Sequence, residues 1–230
     1  MRYLPLLAFC CLCACKKNEP TTTLPGNLIQ FDDMALGQKS YYVRLNGEGF
    51  RDQAPFDFTY VADTLLVEVV AQSGDEFTLK ESLTNGSVSI VSPDKVTPPF
   101  GGTKPHVYRV KKENGNLRYL DMVSGEWQPR LFPKPDWALP LDKQADLEVA
   151  FQGWMPGADT NINEGMVRDF KVGDKSFDRL NFFRNYDDMA FDGNGFFSVY
   201  SAETGIVRAG TVSSWGAPGQ AWDLLADFGF

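Results

Sequence analysis

The chain has 230 residues, of which 30 are acidic and 22 are basic, and its formal net charge is −8 at pH 7. An acidic surface repels a phosphate backbone, so nucleic acid is excluded as an expected partner. Hydrophobic residues make up 43% of the chain, which is typical of a folded protein rather than a disordered one. This length suits one large β domain or two small ones.

The amino-terminal residues have the pattern of an export signal that ends at a cysteine. Arg2 supplies a basic start, and the apolar stretch that follows is shorter than the roughly 20 residues needed to span a bilayer. Its end, residues 12–15 (LCAC), resembles the lipobox of bacterial lipoproteins. The resemblance implies cleavage before Cys15, lipidation of its thiol with palmitate or similar chains, and anchoring in the cell envelope. Lys16, in place of an aspartate, favours the outer membrane. An ordinary secretory signal cleaved nearby is the alternative.

The cysteines and histidine limit the chemistry of the body. The chain has four cysteines, all within its first 15 residues, so a disulfide scaffold is excluded for the body. The single histidine, His106, follows Pro105 in a strand-like context, and the sequence lacks the G-x-S-x-G pattern of a serine hydrolase. A zinc site built on histidine and cysteine is also excluded. We therefore predict no catalytic residue and no cofactor.

Composition divides the chain into five parts. Residues 1–14 are the signal peptide, and residues 15–27 are the lipidated cysteine and a polar tether with two prolines. An N-terminal β region covers 28–128 and a C-terminal β region covers 143–230. Between them, 129–142 is rich in proline and is either a linker or a crossover within one domain. Loss of Arg2 with the signal changes the net charge of the remainder to −9.

The body shows the alternation of β-strands. Within Ser40–Phe50, Tyr41, Val43 and Leu45 share one face, and the same period of two recurs in Phe56–Tyr60. Thr64–Gln72 is a further predicted strand. Asn114-Gly115 supplies the positive φ angles of a tight hairpin. No segment combines helical period with helix caps. The sequence thus predicts an all-β fold, an antiparallel β-sandwich or open barrel-like sheets, as one body or as two packed β modules.

Two groups of oxygen-bearing side chains are weak calcium candidates. Asp159, Asn161 and Asn163 alternate as calcium ligands do, but the glycine expected at the sixth position of an EF-hand is missing. Asp187 and Asp188 lie before a turn at 192–195. Polar loops explain both groups better, so no metal site is predicted.

Three tryptophans lie in or near loops that contain glycine or proline and are candidates for ligand contact. Flat indole rings on loops stack on sugars or anchor a protein partner. The residues are Trp154, Trp215 and Trp222.

The C-terminal region also resembles many uncharacterised Gram-negative lipoproteins. The resemblance rests on Gly173–Leu180, Gly195–Ser201 and Gly205–Arg208, and covers about 40 residues in loose glycine and aromatic positions. It implies a β-sheet lipoprotein and transfers no catalytic residue. In this pattern Gly205 permits a turn, and Arg208 is expected outward or at the rim.

These observations predict a cell-envelope lipoprotein with a non-catalytic binding or assembly role. Its expected partners are the membrane, through the lipid, and a glycan or an envelope protein. The alternative is a secreted polysaccharide hydrolase that uses a pair of acidic residues, with Asp187 or Asp188 as the first candidate.

Overall fold

The computed structural model describes residues 28–47, 58–84, 106–121, 138–141, 148–149, 164–186, 194–213 and 220–225. These residues form eleven β-strands joined by turns and short irregular segments. No helix within these ranges is long and apolar enough to cross a membrane. The predicted all-β class is confirmed.

Ten of the strands lie in the two predicted β regions, whereas β6 lies within 129–142, which was predicted as a linker or crossover. The N-terminal region contributes β1 (Lys39–Gly47), β2 (Phe58–Ser73), β3 (Glu76–Leu83), β4 (His106–Glu113) and β5 (Asn116–Asp121). The rest are β6 (Ala138–Pro140), β7 (Glu164–Val172), β8 (Lys175–Tyr186), β9 (Asn194–Ser201), β10 (Gly205–Ser213) and β11 (Gln220–Leu224).

All of these strands belong to one sheet. Its order is β6-β5-β4-β3-β2-β1-β11-β10-β9-β8-β7, and neighbouring strands pair antiparallel. The first strand therefore pairs with the last, with Tyr42 opposite Leu224. Strands from both predicted β regions lie side by side in this sheet.

Local turn chemistry behaves as the sequence predicts at the β4–β5 hairpin. Asn114 has a φ of 51° and Gly115 a φ of 73°, the left-handed conformations that a two-residue hairpin turn requires.

One long strand replaces two predicted ones. Separate strands were predicted over Phe56–Tyr60 and Thr64–Gln72, but in the structure β2 runs without a break through Ala62 and Asp63. The register of β1 against β2 shifts there, with Val43 opposite Thr64 but Arg44 opposite Val61. The extra residues form a bulge, which bends a long strand without ending it.

The sheet curls until distant strands meet. The hydroxyl of Tyr200 in β9 donates a 2.5 Å hydrogen bond to the carbonyl of Pro140 in β6, although seven strands separate them along the sheet. Beside it, the amide of Asn181 in β8 donates to the carbonyl of Leu141 at 3.4 Å. Of the predicted architectures, the open barrel-like sheet is the one observed.

Each face of the sheet carries an apolar cluster. Cross-strand partners share a face, and alternate residues of a strand point to opposite faces. The first core cluster lies on one face of the sheet and includes residues of β1–β6 and β9–β11. Its largest members are Tyr42, Phe77, Tyr108, Tyr119, Tyr200 and Trp222. The second core cluster lies on the opposite face and is formed chiefly by Leu45, Val167, Phe170, Leu180, Phe182, Phe197, Val199 and Val207.

Candidate functional site

A groove of about 270 Å³ opens where β1, β2 and β11 meet the β7–β8 turn. Its walls are mainly apolar, and the exposed acidic residue Asp174 of the turn stands at its rim. We call this depression the Tyr60 groove; it is lined by Val43, Tyr60, Val172, Gly173, Asp174, Lys175, Phe177, Leu224 and Leu225.

Tyr60 is placed in the groove by the pairing of β1 with β2. It lies opposite Leu45, a fully buried member of the second core cluster, so both side chains project from the same face. The bulge at 62–63 follows directly, which bends β2 beyond this pair. The side chain of Tyr60 remains 47% exposed. Part of this aromatic residue is therefore accessible at the groove.

The hydroxyl of Tyr60 is held from two sides. It donates a 2.9 Å hydrogen bond to Oδ2 of Asp223, and it accepts a 3.3 Å hydrogen bond from the backbone N–H of Gly173. These contacts connect β2 to β11 and to the β7–β8 turn. Because the ring is fixed at its far end, its exposed face has one preferred orientation.

Asp223 is itself held by a buried ion pair. Arg208 Nε donates to Oδ1 of Asp223 at 2.5 Å, and Nη2 donates to Oδ2 at 2.7 Å. The side chains are 1% and 0% exposed, and the residues are opposite each other in the β10–β11 pairing. The guanidinium also lies 4.9 Å from the ring centroid of Phe170. The expectation that Arg208 points outward or sits at the rim is wrong, because the second core cluster covers this face of β10.

Burial and the neighbouring carboxylate set the protonation of Tyr60. Partial burial, followed by the charge of Asp223 and the hydrogen bond to it, raises the pKa of the Tyr60 hydroxyl to about 12. The hydroxyl is therefore neutral near pH 7 and acts as a donor. Both oxygens of Asp223 are engaged, Oδ1 by Arg208 and Oδ2 by Arg208 and this hydroxyl, and its side chain is 0% exposed.

The first core cluster contains a second polar group, Glu81, which is 2% exposed. Tyr108 is its neighbour, and burial followed by the charge of Glu81 holds the pKa of that tyrosine well above its usual value. The cavity among the surrounding side chains measures only about 10 Å³, room for about one water molecule. This region is a filled interior rather than a ligand site.

The sequence-predicted site residues fall into two groups. Trp222 lies in β11 with its side chain 4% exposed in the first core cluster, so its predicted place on a ligand-facing loop is corrected to a core position. The others lie outside the described residues: Cys15, Trp154, Trp215, Asp159, Asn161, Asn163, Asp187 and Asp188. Within the described ranges, no three metal-binding side chains of the His, Cys, Asp or Glu type cluster together.

Sequence reasoning missed the central residue of the groove. Tyr60 alternates with Phe56 and Phe58, which made it one of several apolar positions in a strand. Its exposure and the contact to Asp223, 163 positions away, depend on the pairing of distant strands. No local signal marks it.

The fold and the site define an all-β protein with one curled antiparallel sheet and an aromatic groove on the side of the second core cluster. No protein-family model matches the sequence, and no curated protein matches it. Two solved structures are similar. A "putative lipoprotein" from Parabacteroides distasonis ATCC 8503 shares 11% identity at a TM-score of 0.41, over 85% of this chain and 97% of its own. A DUF1329 family protein from Desulfovibrio piger ATCC 29098 shares 7% identity at a TM-score of 0.22, over 84% and 88% of the two chains.

Proposed function

We propose that the protein is a cell-envelope lipoprotein, attached through lipid on Cys15 in the outer membrane, whose β body binds a glycan or protein partner without chemical conversion. The lipobox pattern LCAC supports the anchor. The Tyr60 groove supports the binding role. The observation that carries this role is the half-exposed ring of Tyr60, held by hydrogen bonds to Asp223 and Gly173.

The lining of the groove supports a role in binding more than one in proton transfer. A glycosidase requires two carboxyl groups about 5 to 10 Å apart, one of them free to donate a proton. Among the described lining residues, Asp174 is the single acidic side chain, and it lies exposed on the turn. The nearby Asp223 is committed to Arg208 and Tyr60. A fixed ring, apolar walls and a charged rim are features of a recognition site.

Lipidation of Cys15 is tested by metabolic labelling. Cells that express the full chain are fed an alkyne-bearing fatty acid, and the purified protein is coupled to a fluorophore. We expect label on the wild-type chain and on C13A, and none on C15A, because only the lipobox cysteine receives the acyl chains. Label that persists in C15A would contradict the anchor.

The binding role is tested by photo-crosslinking in intact cells. A photoreactive amino acid replaces Asp174 at the groove rim or, as a matched control, Gln72, an exposed residue near the β2–β3 turn. We expect a discrete adduct from position 174 and none from position 72, since only the first lies at the groove. Equal adducts from both positions, or none from position 174, would overturn the proposal. The mass and composition of the adduct distinguish a glycan from a protein.

A further inference from the structure

We infer that the Tyr60 groove binds a ring of an uncharged saccharide, with the exposed face of Tyr60 as the stacking surface. The inference rests on the proposed binding function and names its ligand class. It draws on the fixation of the ring, the chemistry of the walls and the size of the groove.

The ring of Tyr60 is pre-organised for contact. A side chain that is already immobile loses little conformational entropy when a ligand packs against it, and this raises affinity. Two hydrogen bonds fix the hydroxyl, and the acceptor Asp223 is fixed in turn by Arg208. Buried ion pairs commonly add little stability compared with apolar side chains of similar volume. Here the pair has a second effect, because it positions a half-exposed ring.

The groove has an apolar part and a polar part, which complement the two kinds of surface on a sugar ring. A pyranose has an apolar C–H face and a periphery of hydroxyl groups. Tyr60, Val172 and Phe177 provide the apolar surface. At the rim, Asp174 is exposed, and its carboxylate can accept hydrogen bonds from sugar hydroxyl groups; hydrogen bonds with a charged partner are the stronger kind.

The volume of the groove and the net charge of the protein restrict the class of saccharide further. The groove of about 270 Å³ is at the small end of ligand pockets, so it suits a single ring, such as a chain end or branch. The chain carries a net charge of −8, which disfavours a polyanionic glycan at long range. A neutral terminal sugar matches both properties.

The test uses the full chain in a detergent without a sugar headgroup. The probes are glucose, galactose, mannose and N-acetylglucosamine with their methyl glycosides, and binding is followed by saturation-transfer NMR and calorimetry. We expect at least one probe to bind and Y60A to weaken it by at least about tenfold. Y60F keeps the ring but removes the fixing hydroxyl, so we expect a smaller loss. The control is L120A, which alters a 41% exposed side chain on β5, away from the groove, and should leave binding unchanged.

Circular dichroism of each variant shows whether the sheet is intact. The inference is overturned if no probe binds at about 10 mM, the affinity range of very weak ligands, or if Y60F and Y60A bind as the wild type does. If crosslinking from position 174 yields a protein adduct while no saccharide binds, the ligand class is wrong and the proposed binding function stands. If both experiments are negative, the proposed function fails as well.

Discussion

Replacing Asp223 with asparagine is expected to lower the free energy of unfolding by about 3–5 kcal/mol, the usual cost of leaving a buried charge without its partner. The guanidinium of Arg208 is 1% exposed and would lose its counter-charge. This loss is a large fraction of a typical domain stability of about 5–15 kcal/mol. Urea denaturation of the full chain, followed by tryptophan fluorescence, measures it.

The control for this prediction is an exposed ion pair in the same sheet. Lys39 and Glu68 lie 3.0 Å apart across β1 and β2, with side chains 38% and 30% exposed. We expect E68Q to leave the unfolding midpoint within error, because water screens such pairs. If D223N proves too unstable to purify, the double variant R208M/D223L removes both charges and should recover the fold. A D223N chain as stable as E68Q would show that the buried pair is not required.

Replacing Gly205 with alanine is the second change with a large expected effect. Gly205 has a φ of +68°, and a Cβ atom there would lie 2.3 Å from the carbonyl oxygen of Ile29. The left-handed conformation alone costs about 1–2 kcal/mol for an alanine. The clash also displaces an N-terminal cover segment, residues 28–34, which packs on the first core cluster through Leu28, Ile29, Phe31 and Met34.

Because G205A also displaces the cover segment, we expect it to lower the free energy of unfolding by more than the left-handed backbone conformation alone would. Each apolar side chain that returns to water costs about 1.5–3 kcal/mol, so partial release brings the expected total to about 3–4 kcal/mol. Two hydrogen bonds are at risk as well: Ile29 N–H to Ser40 Oγ at 3.1 Å and Asp32 N–H to the carbonyl of Ala202 at 2.9 Å. Chemical denaturation gives the loss, and limited proteolysis near residue 28 reports release of the segment.

Gly115 provides the matched control for Gly205. Its φ is +73°, but a Cβ atom there meets no atom within 4 Å. G115A should therefore cost only the conformational term, about 1–2 kcal/mol, and leave the cover segment resistant to protease. Equal losses in G205A and G115A would refute a specific contact between Gly205 and Ile29.

The Tyr60 groove and the cover segment lie on opposite faces of the sheet. Tyr60 shares its face with the second core cluster, whereas Leu28 and Ile29 pack in the first. The sequence places the tether and Cys15 directly before the cover segment. A lipid on Cys15 would thus attach the body through a segment that packs on the face away from the groove.

Much of the local structure could be predicted from the amino-acid sequence. Alternation with a period of two marks β1 and the start of β2, since half-buried strands present alternate side chains to the core. Asn114-Gly115 indicates a hairpin because these residues accept positive φ, and the structure has that conformation. The confinement of all four cysteines to the N-terminus likewise determines that the body has no disulfide.

The tertiary structure decided which of these side chains form a site. Alternation shows that Arg208 and Ala209 point to opposite faces, but not that both faces are covered, so Arg208 was expected near solvent and is buried. Local sequence also failed to predict the exposure of two aromatic residues: Trp222 lies in the core, and Tyr60 is half-exposed. The reason is physical: β1 pairs with β11 across almost the whole chain, and a contact between distant segments leaves no local pattern in either one.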